Sequence, residues 1–305
     1  MDILRGTNIS QHLKKSTVLI TGRNGFIGNH LYKYLAKKQI EIIDGDEIED
    51  KKSLDVTDLQ TLLSINKHVQ TIIHLAAKTS IVNSFHDPYL TYYTNFVGTF
   101  NLLEFARLKN VKKLINISTY VYGHPQYNPV DENHPIDPHS PYNKSKLLAD
   151  QLCRFYSCDF GIDIVTLRPF YIYGPGASSD SFIPSIVRQI KQTGEVTLNN
   201  RGITRDFLFV DDFIYLITTI LSKFPRGYNV FNVGSGTHYT LEEVTRIVAE
   251  LLDKEVNIQY NKTYTYTDVS TMQADITKIS NAFKWKPIVN MEKGLRLTVD
   301  AQANL

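Results

Sequence analysis

Val18-Leu-Ile-Thr-Gly22-Arg-Asn-Gly25-Phe-Ile-Gly28 is the stretch on which the reading of this chain turns. Residues 17–20 read as a buried strand and residues 26–38 as a helix. Between them the glycines recur as GxxGxxG. Gly22 makes the tight turn, Gly25 lets backbone approach a pyrophosphate, and Gly28 lets the helix pack closely. The helix N-terminus adds N–H donors and the positive end of a dipole. Strand, turn and helix together point to dinucleotide binding. An acid for the adenosine ribose is expected about 20 residues on. Asp46 fits that count, with Asp44 as the alternative. Such an acid favours NAD, whereas Arg23 inside the turn suits the 2′-phosphate of NADP. Both cofactors stay open, NAD first.

Outward from this stretch, strand and helix signals alternate. Further strands are predicted at 40–43, 70–75, 113–117 and 162–167, with helices at 56–66, 88–109 and 141–160. Ser53, Asp55 and Thr57 are candidate caps for the second helix. Strands separated by helices imply βαβ units, hence an α/β fold with a doubly wound parallel (Rossmann) sheet. After residue 170 the pattern changes. Pro169, Gly174, Pro175 and Gly176 break the periodicity, and shorter helices are predicted at 182–192, 211–222, 240–253, 275–283 and 290–301. The expected organisation is a dinucleotide-binding domain over 1–170 plus about 203–235. A smaller C-terminal α/β substrate domain over 171–202 and 236–305 would complete a cleft.

Composition narrows the function classes. Over 305 residues, 33 Lys and Arg against 31 Asp and Glu leave a formal charge of +2, so no single strong field covers the surface. Nucleic acid is therefore not an expected partner. The most apolar run, residues 213–221, is too short to span a bilayer, so no membrane association is expected. Met1 to Lys15 lacks a signal-peptide pattern, and a cytoplasmic location is expected. Cys153 and Cys158 are spaced CxxxxC and read as reduced thiols on a helix. The nine His show no metal-ligand spacing, so no metal site is expected. His134 and His139 read as solvated loop residues, and Asp211 with Asp212 as a helix cap pair. Tyrosine is in surplus, 18 residues against one Trp.

Tyr142-Asn-Lys-Ser-Lys146 places a phenol and an ammonium at i and i+4, on one helix face. A free tyrosine has a pKa of about 10, too high for acid–base work near neutrality. A neighbouring ammonium is expected to lower it. Ser118, at the end of the fourth predicted strand, can offer a hydrogen bond to a reacting oxygen.

With these residues in place, the chain resembles a known family over nearly its whole length. This family is the extended short-chain dehydrogenase/reductases of NAD-dependent epimerase/dehydratase type, which modify nucleotide sugars. Residues 21–28, TGRNGFIG, resemble its TGxxGFIG, and Leu54-Asp-Val-Thr-Asp58 its adenine-side acidic motif. His74-Leu-Ala-Ala77 resembles HLAA, Asn95-Phe-Val-Gly-Thr99 resembles NVxGT, and Ser118 through Gly123 resembles SSxxVYG. Tyr142 and Lys146 match YxxxK, and residues 167–176 resemble LRPFNVYGPG. Thr204 through Asp212 resembles TRDFxxVDD, and Phe231 through Gly236 resembles YNVGSG.

The resemblance implies catalysis by Ser118, Tyr142 and Lys146. It implies cofactor contacts at Gly22, Arg23, Asn24, Gly25, Phe26, Ile27 and Gly28, and at Asp44 or Asp46. Further cofactor contacts would be Asp55, Val56, Leu75, Ala76, Ala77, Lys78, Asn95, Tyr142, Lys146 and Pro169. Thr119, Tyr120, Tyr171 and Arg205 would meet a nucleotide-diphosphate sugar. A homodimer through the helices at 91–109 and 142–157 is also implied.

Members of this family begin by oxidising a sugar hydroxyl, usually at C4, or run the reverse. Dehydratases carry an acid and a base where this chain has Thr119 and Tyr120, which argues against dehydration. The LRPF and TRDF segments look like those of 4-epimerases and related decarboxylases. The short link after Asp46 looks like that of dTDP-4-dehydrorhamnose reductase, so a 4-keto-sugar reductase is the alternative. Dinucleotide-binding sensors of this fold typically lack the tyrosine or the lysine. Two positions depart from the pattern. Tyr171 replaces an Asn that touches the diphosphate, and Thr265 stands near where an Arg is often found. Tyr260, Tyr264 and Tyr266 fall where relatives contact the nucleotide.

Overall fold

The computed structural model describes residues 16–43, 54–261 and 269–303. Asp44, Asp46, Tyr264, Thr265 and Tyr266 lie outside the described residues. Two compact units result. The first holds the described residues up to Gly123, with Ile136–Pro169 and Ile214–Phe231. The second holds His124–Pro135, Phe170–Phe213 and the described residues from Asn232 on.

In the first unit, β1 (Thr17–Thr21), α1 (Phe26–Lys37) and β2 (Glu41–Ile43) are followed by α2 (Leu59–Leu63) and β3 (Thr71–His74). Then come α3 (Ile81–His86), α4 (Pro88–Tyr92), α5 (Gly98–Leu108), β4 (Lys113–Ile117), α6 (Pro141–Phe160) and β5 (Asp163–Pro169). The sheet runs β2-β1-β3-β4-β5 and then the strand Tyr228–Val233. The β1–β2, β1–β3, β3–β4 and β4–β5 ladders are all parallel. Such strands read as continuous apolar runs because helices cover both faces. Leu19, Ile72, Leu114 and Ile164 from the strands cluster with Leu62, Leu102, Leu103 and Phe105 from the helices, all fully buried. Each such side chain contributes roughly 1.5–3 kcal/mol of burial.

Two predicted helices change. The one at 56–66 contracts to α2, capped by Asp58, whose carboxylate accepts from Gln60 N at 2.9 Å. Asp55 instead closes its own turn onto Thr57 N and Thr57 Oγ1, both at 2.8 Å. The one at 88–109 is interrupted by a π-turn over Tyr93–Val97. Single π-turns inside helices commonly mark functional sites.

The second unit is assembled from short ladders. Tyr171–Tyr173 pairs with Phe207–Phe209, Thr204–Arg205 with Tyr239–Thr240, and Glu195–Leu198 with Asn257–Tyr260. These pairings hold residues 203–213 here, although the sequence reading groups about 203–235 with the dinucleotide domain. Residues 124–135 also belong here. Val130 bridges to Ala274, and Glu132 Oε1 accepts from Asn232 N at 2.7 Å.

His134 is buried rather than solvated. Its Nε2 accepts from Gln126 N at 2.8 Å, which leaves the proton on Nδ1, 2.8 Å from the Pro135 carbonyl. Asp212 does not cap its helix. Its carboxylate accepts from Ile288 N at 3.0 Å and Val289 N at 2.9 Å, anchoring that later stretch of chain.

Candidate active site

The order β2-β1-β3 places a topological switch point between β1 and β3, where ligands of open α/β sheets bind beyond the strand carboxyl ends. The glycine turn leaves β1 there. Gly22 has φ +71°, and a Cβ on it would lie 2.6 Å from Ala76 N, so the turn and the close approach to the chain leaving β3 both require glycine. Gly25 is the N-cap of α1, with no side-chain cap and no acid in the first turn. That helix start offers its N–H groups and positive dipole end without a resident anion, a cradle that fits a pyrophosphate. Arg23 lies over the Tyr32 ring, 3.8 Å from its centroid.

β3 ends in His74, fully buried between two threonines. Thr99 Oγ1 donates to Asn95 O at 2.6 Å, so it accepts from His74 Nε2 at 3.0 Å, and Thr21 Oγ1 faces Nδ1 at 2.7 Å. Burial, reinforced by Lys146, lowers the His74 pKa to about 3, so the ring is neutral. Its role is to brace β1, β3 and α5. Asn95, on the π-turn, accepts from Lys78 N at 2.7 Å and donates to Lys78 O at 3.0 Å and to Ser145 Oγ at 2.9 Å. Ser145 in turn donates to Tyr142 O at 2.8 Å. The chain leaving β3 is thereby tied to α6. Val56 O accepts from Asn101 Nδ2 at 3.1 Å, which fixes the segment holding Asp55.

α6 begins at Pro141, with Ser140 as N-cap accepting from Asn143 N at 3.1 Å. Asn143 Nδ2 donates to Tyr120 O at 2.8 Å and fastens the helix start to the loop beyond β4. One helix face then carries Tyr142, Lys146 and Asp150, which are 9 %, 2 % and 1 % exposed. Ser118 N donates to Leu167 O at 2.8 Å, but the buried Ser118 Oγ has no hydrogen-bond partner of good geometry. Orphaned buried hydroxyls are costly. Among the described residues, Thr204 Oγ1 and Ser280 Oγ are orphaned as well.

The expected lowering of the Tyr142 pKa is not found. Burial raises it, a hydrogen bond from Thr119 pulls it back, and Asp150 raises it further. Lys146 is also buried, which lowers its pKa, while Asp150 and then Cys153 oppose that. Burial dominates both groups because each leaves water when α6 packs on the sheet. Among the described residues, no group of three His, Cys, Asp or Glu could hold a metal, and no helix is long and apolar enough to cross a membrane.

The proposed substrate residues fall in different places. Thr119 meets Tyr142, as above. Tyr120 is buried and its hydroxyl donates to Gly123 O at 2.6 Å, so it is spent inside the first unit. In the second unit, Tyr171 Oη accepts from Phe182 N at 2.9 Å, starting the helix Phe182–Gln192, while its ring packs on Phe207 at 4.9 Å. Arg205 Nη1 donates to Thr204 O at 2.8 Å and to Val269 O at 2.6 Å.

Comparison with known proteins agrees with this geometry. Residues 18–234 match the model of the NAD dependent epimerase/dehydratase family. The chain belongs to the NAD dependent epimerase/dehydratase family. UDP-glucuronate 4-epimerase of Thermodesulfobacterium geofontis is 30 % identical over 92 % of this chain and 94 % of its own. UDP-glucose 4-epimerase of Thermotoga maritima, solved with UDP-glucose, superposes with TM-score 0.87 at 26 % identity, covering 94 % of this chain and 99 % of that one. RMD of Pseudomonas aeruginosa, solved with NADPH, gives TM-score 0.87 at 27 % identity, covering 95 % and 100 %. As a member of the epimerase/dehydratase family the chain is an enzyme. Sequence reasoning missed Asn116, Ser145 and Arg168 beside its site. It also missed Asp150, for which the i+4 spacing from Lys146 was the available signal.

Proposed function

We propose that this enzyme interconverts C4 epimers of a UDP-sugar through a 4-keto sugar. The observation that carries the reading is Tyr142 and Lys146 buried on one face of α6 while Ser118 Oγ, at the end of β4, lacks a partner. The glycine turn, Asp55, Val56, Asn95 and Lys146 would hold NAD, which when bound supplies a hydride acceptor. Tyr142 Oη, which must be ionised to act as the base, takes the proton of the sugar O4 hydroxyl and later returns it. Ser118 Oγ hydrogen-bonds the same oxygen and gives up no internal bond to do so. Lys146 binds the nicotinamide ribose and keeps positive charge on that face. Thr119 and Tyr120 supply neither acid nor base for C5, so loss of water has no agent. The relatives named for UDP-glucuronate and UDP-glucose support the nucleotide and the C4 chemistry.

The test is to denature the purified protein, assay the released nucleotide, and incubate the native protein with UDP-glucose, UDP-glucuronate and UDP-N-acetylglucosamine. Near-stoichiometric NAD(H) and formation of a 4-epimer are expected. No bound nucleotide, with oxidation of added NADPH against a 4-keto sugar, would establish the reductase reading instead. Arg23 in the glycine turn and the NADPH-bound neighbour favour that second reading.

We also propose a homodimer through α4, α5 and α6. Tyr89, Tyr93, Phe100, Leu108, Leu148, Phe155 and Phe160 are exposed on these elements and the π-turn, more apolar surface than single scattered residues would give. A monomer by light scattering at micromolar concentration would remove it.

A further inference from the structure

Under Tyr142 and Lys146 lies a buried charge cluster with no part in the chemistry above. Asp150 stands one turn beyond Lys146 on α6, on the same face. Its Oδ2 accepts from Arg168 Nε at 3.0 Å and its Oδ1 from Asn116 Nδ2 at 3.2 Å. Arg168 is itself buried and donates from Nη1 to Tyr122 Oη at 2.9 Å. Asn116 Nδ2 also lies 3.4 Å from Thr166 Oγ1. The carboxylate is therefore held from β4 and β5 together. The buried basic neighbour on its helix is Lys146, while Arg154, one turn the other way, is exposed. Buried ion pairs are poor stabilisers compared with apolar packing, so a pair kept at this depth calls for a purpose other than stability.

We propose that Asp150 is a positioning residue of this site: its carboxylate, pinned by Arg168 and Asn116, keeps Lys146 a charged ammonium beside Tyr142 and so sets the pH window in which the pair works. The inference rests on the proposed roles of Tyr142 and Lys146. The groups facing the cluster are Tyr142, Lys146 and Cys153 on α6, Arg168 on β5, Tyr122 beyond β4, Tyr228 on the edge strand and His74 on β3. Burial pushes the Cys153 thiol and the Tyr228 phenol up, and the His74 imidazole down, so these three stay neutral near pH 7. Arg168 and Asp150 form an ion pair at 3.0 Å, and Lys146 is the further basic group of the cluster. Burial raises the Asp150 pKa, and Arg168 first, then Lys146, pull it back. In the opposite sense, Asp150 supports the protonated form of Lys146 and disfavours ionisation of Tyr142.

Both groups therefore lose protons at lower pH when Asp150 loses its charge. The experiment is an NMR titration of the whole protein with ¹³Cε-labelled lysine, the Lys146 signal being identified by its loss in Lys146→Arg. In Asp150→Asn the Lys146 midpoint falls by about one pH unit, a tenfold loss of proton affinity, and Asp150→Glu restores it. If Asp150→Asn does not fold, Asp150→Asn with Arg168→Met removes both buried charges. A fall in the same direction, but smaller, is expected there, because the repelling Arg168 cation is removed together with the carboxylate. An unchanged midpoint in either folded variant overturns the proposal. Where a sugar substrate is turned over, both limbs of the kcat/KM pH profile move to lower pH. A purely structural role would lower the profile without moving it. The titration needs no substrate, so it stands or fails separately from the epimerase reading.

Discussion

The first unit leaves two motif positions chemically open, the Ser118 hydroxyl and the start of α1, whereas the second consumes Tyr171, Arg205 and Asp206 in folding and leaves the Thr204 hydroxyl open. In the first, Ser118 Oγ is buried without a partner and α1 starts without a cap. In the second, Tyr171 Oη starts a helix, Arg205 ties down two carbonyls, and the buried Asp206 gathers the N–H groups of Ser235, Gly236 and Ala274. Motif matches of equal quality thus carry different physical content. One set costs stability and waits for a ligand; the other supplies stability by satisfying backbone donors.

The comparison breaks first at Tyr142. Tyr142→Phe is expected to lower kcat by about 10²–10⁴ with an unchanged melting temperature. A fall under tenfold would show that the open residues are not the chemistry. Next is Asp206→Ala, which strands several buried donors and is expected to cost about 3 kcal/mol in a denaturant titration. Stability within 1 kcal/mol of the parent, as an order-of-magnitude bound, would deny the second unit its structural reading.

Ser118→Ala sharpens the contrast. It is expected to lower kcat/KM about 10- to 100-fold while leaving stability unchanged or slightly raised, because no internal bond is lost. His74 gives a pH test. Its folded pKa of about 3 lies below its unfolded value, so as pH falls from 6.5 the unfolded state takes up a proton that the folded state refuses. Stability should therefore fall by about 1.4 kcal/mol per pH unit between roughly pH 6 and pH 3 on this account, and His74→Gln should flatten that slope. Tyr171→Phe is the smallest change. About 1 kcal/mol of stability should be lost with the Phe182 N–H acceptor, and kcat/KM should stay within about threefold. A larger kinetic loss would return Tyr171 to the substrate site.

How much was readable without coordinates depended on the range of the interaction. The strands at 113–117 and 163–169 were readable from their Leu, Ile and Val, although Asn116, Thr166 and Arg168 are buried polar residues within them. The glycine turn was readable because a positive φ is a local property, whereas the clearance of Gly22 against Ala76 is set by tertiary packing. The π-turn at Tyr93–Val97 was not, since it goes with an Asn95 side chain that reaches Lys78 and Ser145. His134 misled because its Pro-rich surroundings resemble a solvated loop, while Gln126 and the surrounding chain bury it. Asp212 looked like a cap by position, yet its partners are more than seventy residues away.

The amino-acid order alone determined the family, the alternation of strands and helices, the glycine turn, and the Tyr142–Lys146 spacing, because these depend on periodicity and on neighbours within a turn of helix. Tertiary structure decided which polar groups are spent and which are left over. Ser118 and Tyr171 each carry a hydroxyl that can donate or accept, and packing consumes one and orphans the other. Proton affinity was decided there too. Helix spacing places Lys146 near Tyr142, but burial on the sheet, with Asp150 and Arg168 brought in from separate elements, governs how readily either holds a proton.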